Sequence, residues 1–159
     1  MKYKDIRETR IAKNGSVGLT HHIIQLVKQQ WEIAAVLETN KNYEKLKTHI
    51  EECMYILFSI WTKYGLNIFD LASDRLGVSD ENHSLQEKAL DKLGSAHSSF
   101  YERKLSTSIW SITKHIDNMN TANARMIERH AQNLRHAITD SLICILSLSA
   151  HHEIKLNLL

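Results

Sequence analysis

Not one proline interrupts the 159 residues of this chain, and only five glycines occur, at positions 15, 18, 65, 77 and 94. Inside a helix, proline costs about 3 kcal/mol and glycine about 1 kcal/mol relative to alanine. A chain that avoids both can run as long helices, and its few glycines then mark helix ends. Gly15 and Gly18 precede the first periodic segment, Gly65 and Gly77 bracket a short one, and Gly94 interrupts or precedes a long one.

Apolar spacing places the helices. Residues 20–38 form a first long helix, with Ile23, Ile24, Val27, Trp31, Ala34 and Ala35 on one face. After the polar joint "TNKN", residues 43–64 carry Tyr43, Leu46, Ile50, Cys53, Leu57, Ile60 and Tyr64 alternately three and four apart. That is the seam of antiparallel helix pairing. "YGLN" supplies a glycine stop, and a short helix follows over 68–76. Beyond the loop "GVSDENHS", residues 85–93, 100–119 and 122–150 read as three more helices. Leu105, Ile109, Ile112 and Ile116 form the stripe of the second of these; Ile127, Ala131, Leu134, Ile138, Leu142, Ile145 and Leu148 form that of the third. Asn118 to Asn120 predict a break between them, with Thr121 as cap. No window sustains the period-2 alternation of a strand. The pattern predicts one all-α domain, an antiparallel helical bundle of four to six helices. Residues 19–76 and 85–150 look like similar helical-hairpin halves, compatible with an internal duplication.

Composition narrows the classes further. Twenty basic and 18 acidic side chains leave a formal charge of +2, with no strong field for nucleic acid or anionic lipid. No apolar run approaches the roughly 20 residues needed to span a bilayer, and the charged start "MKYKDIRETRIAKNG" is no signal peptide. Cys53 and Cys144 lie in apolar helical runs without a Cys-x-x-Cys spacing, so they read as buried thiols rather than a disulfide. A cytoplasmic protein with no membrane or nucleic-acid partner is expected.

The chemistry-bearing stretches are "QQWE", giving Gln29 and Glu32, and "EECMY", giving Glu51, Glu52 and Tyr55. Residues three apart share a helix face, so two such pairs on antiparallel helices converge four side chains. This segment resembles the all-α nucleotide pyrophosphatases of the MazG type, from about Leu19 to Leu76. That family carries Glu-x-x-Glu on one helix and Glu-x-x-Asp on the next, and its carboxylates hold Mg²⁺ against a triphosphate. Here Gln29 stands where a glutamate would be and Tyr55 where the aspartate would be, and "SDRL" lacks the usual Lys and Asn. The resemblance implies a degenerate metal site at Glu32 and Glu52, with Gln29, Glu51 and Tyr55 beside the ligand. It implies weak Mg²⁺ binding at most, no other cofactor, and lost or weakened catalysis in a nucleotide- or protein-binding module. A working pyrophosphatase and a helical interaction module unrelated to nucleotides are the alternatives. In the second half the corresponding places are Lys114, Asp117, Ala137 and Asp140; a composite of Glu32, Glu52 and Asp140 can be imagined.

Blander readings stand beside these. Glu51 and Glu52 near Lys47 suit a solvated helix shoulder with i,i+4 pairs. Glu32 runs into the apolar stretch 33–37, where a carboxylate needs a partner. Trp61, Tyr64 and Trp110 could stack on a base, but aromatics on a helix stripe more often belong to the core. His21–His22, His151–His152 and His130/His136 are wrongly spaced for chelation on one helix face. Met54, Tyr55, Phe58 and Trp61 make the second helix apolar nearly all round, and "IKLNLL" would expose Ile154, Leu156, Leu158 and Leu159 unless it docks. Both features predict a homodimer.

Overall fold

A computed structural model describes residues 18–39, 42–62, 68–77, 85–94, 97–121 and 124–156. Six helices follow in order: α1 Leu19–Thr39, α2 Tyr43–Thr62, α3 Ile68–Leu76, α4 Leu85–Leu93, α5 Ser98–Thr121 and α6 Ala124–His151. The described residues contain no strand, so the all-α bundle expected from the sequence is what forms. The two short helices match the expected bounds. The break expected at Asn118 to Asn120 instead lies inside α5, which continues to Thr121. Asparagine disfavours a helix by only about 0.7 kcal/mol per residue, too little to end one by itself.

Four long helices close a ring: α1 on α2, α2 on α6, α6 on α5, and α5 on α1. Each hairpin is antiparallel, α1–α2 and α5–α6, and α3 and α4 are laid against α6. The expected stripes of α5 and α6 are buried: Leu105, Ile109, Ile112 and Ile116 face Leu134, Ile138, Leu142, Ile145 and Leu148 in one core. In α2 the seam from Leu46 to Ile60 is buried, whereas Tyr43 is exposed. Tyr64, Leu158, Leu159 and the side chains of Trp61 and Ile127 lie outside the described residues.

Two expectations are corrected. The buried stripe of α1 is His22, Leu26, Ile33 and Val36, so Ile24 and Trp31 point outward. Trp110 is likewise exposed rather than core, with 70% of its surface open. Antiparallel packing on both α2 and α5 selects the face of α1 that fills the ring, and periodicity alone left two overlapping faces available.

Helix ends have identifiable causes. Asn42 Oδ1 accepts the backbone N–H groups of Glu44 (3.2 Å) and Lys45 (3.3 Å), capping α2. Gly77 and Gly94 take positive φ, 67° and 80°, directly after α3 and α4. That left-handed turn is nearly free for glycine, as at many helix C-termini. At the end of α6, Ile154 N–H reaches Ser149 O (2.8 Å) and Glu153 N–H reaches Ala150 O (3.0 Å). This paired pattern is a Schellman motif with Glu153 at φ 57°. It turns the chain back, and Ile154 and Leu156 become buried. Residues 154–156 therefore dock on their own chain.

Both cysteines are buried free thiols. Burial pushes the Cys53 thiol up, and pushes the Cys144 thiol up to about 12. Cys144 Sγ donates to Tyr101 O at 3.0 Å. No described helix is long and apolar enough to cross a membrane.

Candidate functional site

The α1–α2 hairpin brings part of the acidic motif together, around a residue that sequence reasoning had passed over. His49 Nδ1 meets Gln29 Oε1 at 2.7 Å, and His49 Nε2 lies 3.9 Å from Glu32 Oε2. With Nδ1 donating to the amide oxygen, Nε2 is left facing the carboxylate at more than hydrogen-bond length; an imidazolium would complete the bridge. Glu32 thus has an imidazole nitrogen for a neighbour, and with its side chain 48% exposed it stays in contact with water despite the apolar run that follows it. The signal was present in the sequence as His49 three residues before Glu52, on the same helix face.

The remaining motif residues behave differently. Glu51 pairs with Lys47 at 3.9 Å, the i,i+4 contact of a solvated shoulder. Glu52 is half-buried one turn beyond His49. Tyr55 packs its partly buried ring against the core. Among the described residues, no three His, Cys, Asp or Glu side chains converge to hold a metal ion. The composite of Glu32, Glu52 and Asp140 does not form: α1 and α6 stand on the diagonal of the ring, and Asp140 is engaged elsewhere.

That engagement belongs to a second constellation, between α3 and α6. Arg75 Nη1 donates to Asp140 Oδ1, while Arg75 Nη2 donates to His136 Nδ1 at 2.7 Å. Lys92 Nζ donates to the Arg75 carbonyl at 3.1 Å, tying α4 to the same point. His136 and Asp140 also line a groove of about 710 Å³ between α5 and α6, together with Arg103, Lys104, Ser111 and Asn133. A neighbouring depression of about 500 Å³ on the α3 side shares His136 and adds Arg75 and Arg135. Arg75 stands in the stretch "SDRL", but its reach of 65 positions to Asp140 has no local signature.

Further along the α5–α6 hairpin, His115 and His130 place their ring centres 6.3 Å apart. Both Nδ1 atoms are buried and lack a hydrogen-bond partner among the described residues. Burial first, then the neighbouring His130 and Lys114, hold the His115 pKa below its ordinary value. At the opposite end, His152 Nε2 and Ser98 Oγ are 2.9 Å apart, joining the start of α5 to the end of α6.

Compared with protein-family models, curated proteins and solved structures, the chain matches none.

Proposed function

We propose that this chain is a helical-bundle binding module of MazG-like build in which pyrophosphatase chemistry has been lost. The observation that carries the reading is the Gln29–His49–Glu32 bridge. A catalytic face of this type needs converging carboxylates that are free to take a divalent ion. Here Gln29 contributes only an uncharged amide and the Glu32 carboxylate faces an imidazole, so converging carboxylates are missing at the centre. Tyr55, whose ring is committed to the core, adds no ligand charge. Any Mg²⁺ held between Glu32 and Glu52 would keep most of its water, because this ion dehydrates reluctantly. The buried free thiols fit a reducing, cytoplasmic setting.

Pyrophosphate release from canonical and modified nucleoside triphosphates, with Mg²⁺ or Mn²⁺, is expected to equal that of a Glu32→Gln control. Robust turnover that vanishes in the control would overturn the reading and make the protein an enzyme. A rise in melting temperature with Mg²⁺ and nucleotide, abolished by Glu52→Gln, would reveal a surviving metal site.

A second reading, docking of a protein partner, draws on the outward apolar residues. Ile24 and Trp31, two turns apart on α1, are 58% and 70% exposed. A second copy of the chain is the partner proposed for that stripe.

A further inference from the structure

The groove between α5 and α6 collects hydrogen-bond donors and neutralises its one carboxylate. Arg103 and Lys104 stand exposed at its edge. Among the described residues, neither pairs with an acidic side chain. Arg103 commits only Nε, to the Ser99 carbonyl at 3.4 Å, and its two terminal nitrogens remain available. Lys104 Nζ rests 5.8 Å from the centre of the Phe100 ring. Thr107 and Ser108 direct their hydroxyl protons into the helix, to the carbonyls of Arg103 and Lys104 at 2.9 Å.

Asp140 would repel an anion, but the Arg75 guanidinium reaches across from α3 and occupies it. The same guanidinium sets the chemistry of His136. Arginine has no acceptor, so His136 Nδ1 must be the acceptor in their 2.7 Å contact. A neutral His136 therefore carries its proton on Nε2, the nitrogen left for a ligand in the groove. Arg75 acts here as a positioning residue: it cancels the acid and fixes the tautomer.

We infer that the α5–α6 groove binds a small phosphorylated anion of di- or triphosphate size, held by Arg103, Lys104 and the Nε2–H of His136. Guanidinium and ammonium groups with an imidazole donor suit phosphate oxygens through charge-assisted hydrogen bonds. A volume of about 710 Å³ suits a small ligand. A net charge of only +2 gives no extended field for a polymeric nucleic acid. This site lies on the other hairpin from Gln29 and Glu32 and uses no metal, so it stands or falls independently of the MazG-like reading.

Calorimetric titration of the full chain at low ionic strength, without divalent ions, tests it. The probes are inorganic phosphate, sodium tripolyphosphate and ATP. Saturable binding is expected for tripolyphosphate, more tightly than for phosphate. Arg103→Glu and Lys104→Glu should each weaken it about tenfold, the scale of a lost charge-assisted hydrogen bond. Lys28→Glu, the same charge change on the exposed face of α1, should leave it within about twofold. Asp140→Asn should tighten binding about threefold by leaving the Arg75 charge uncancelled, a gain that loss of stability cannot mimic. ATP binding more tightly than tripolyphosphate assigns the site to a nucleotide, and equal binding assigns it to the polyphosphate alone. No saturable binding, or an equal loss in Lys28→Glu, overturns the inference. Pyrophosphate turnover sensitive to Glu32→Gln but not to Arg103→Glu would sink only the reading of lost catalysis.

Discussion

Gln86 makes three hydrogen bonds that no apolar side chain could replace. Its Nε2 donates to Ser149 Oγ (2.7 Å) and to the Ile154 carbonyl (2.6 Å), and its Oε1 accepts from Leu156 N–H (3.1 Å). A buried amide satisfied at both ends costs little, whereas its removal strands the partners. Those partners belong to the end of α6 and to the tail that the Schellman turn folds back. Gln86→Leu is expected to destabilise the fold by about 2 kcal/mol, since it leaves a buried N–H and a buried carbonyl unpaired. A urea midpoint unchanged from wild type would show that the tail gains nothing from this residue. Limited proteolysis should cut near residues 153–156 faster in the variant.

Among the elements, the α5–α6 hairpin has a built-in acid sensitivity. His115 is held below its ordinary value, near 6.5, chiefly by burial and then by His130 and Lys114. The unfolded chain therefore takes up this proton first as the pH falls. Stability from neutral His115 is complete above about pH 6.5 and declines as pH drops toward its depressed folded value. Melting temperature should fall between about pH 7 and pH 5, and His115→Gln should flatten that fall. A slope identical in the two proteins would place the acid-labile group elsewhere. Salt should not abolish the effect, because desolvation leads among its causes.

At the scale of the whole molecule, α6 touches α2, α3, α4 and α5, and its last turns are buried on every side. Buried hydroxyls there are satisfied within the helix: Ser141 to Ala137 O and Ser147 to Ile143 O, at 2.9 and 2.8 Å. Of the described residues that pointed to a dimer, most are covered by this packing. Met54 and Phe58 of α2 are buried, and so are Ile154 and Leu156 of the tail. Among the described residues the Ile24–Trp31 stripe points outward, as do Tyr43, Trp110 and Met126 elsewhere on the surface. If a second copy covers it, sedimentation equilibrium at micromolar concentration should show a dimer, and Trp31→Glu should return it to monomer. Since Trp31 is 70% exposed, that substitution should change monomer stability by no more than about 0.5 kcal/mol. A wild-type monomer under the same conditions removes the dimer.

The lack of proline and the recurrence of apolar residues determined the helices, because both act within a few turns of chain. The heptad spacing from Leu46 to Ile60, the stripe from Leu105 to Ile116 and the stops at Gly77 and Gly94 were all legible that way. Glu51 pairing with Lys47 was legible too, being an i,i+4 contact. Tertiary structure alone decided which face of α1 is buried, because Trp31 and Leu26 both belong to plausible stripes and only the neighbours choose between them. It also decided what the polar residues meet. His49 reaches Gln29 across a hairpin, and Arg75 reaches Asp140 and His136 across more than sixty positions of chain. Such contacts depend on how helices are arranged around a shared core. Hydrophobic burial sets that arrangement without reference to the polar groups it brings together.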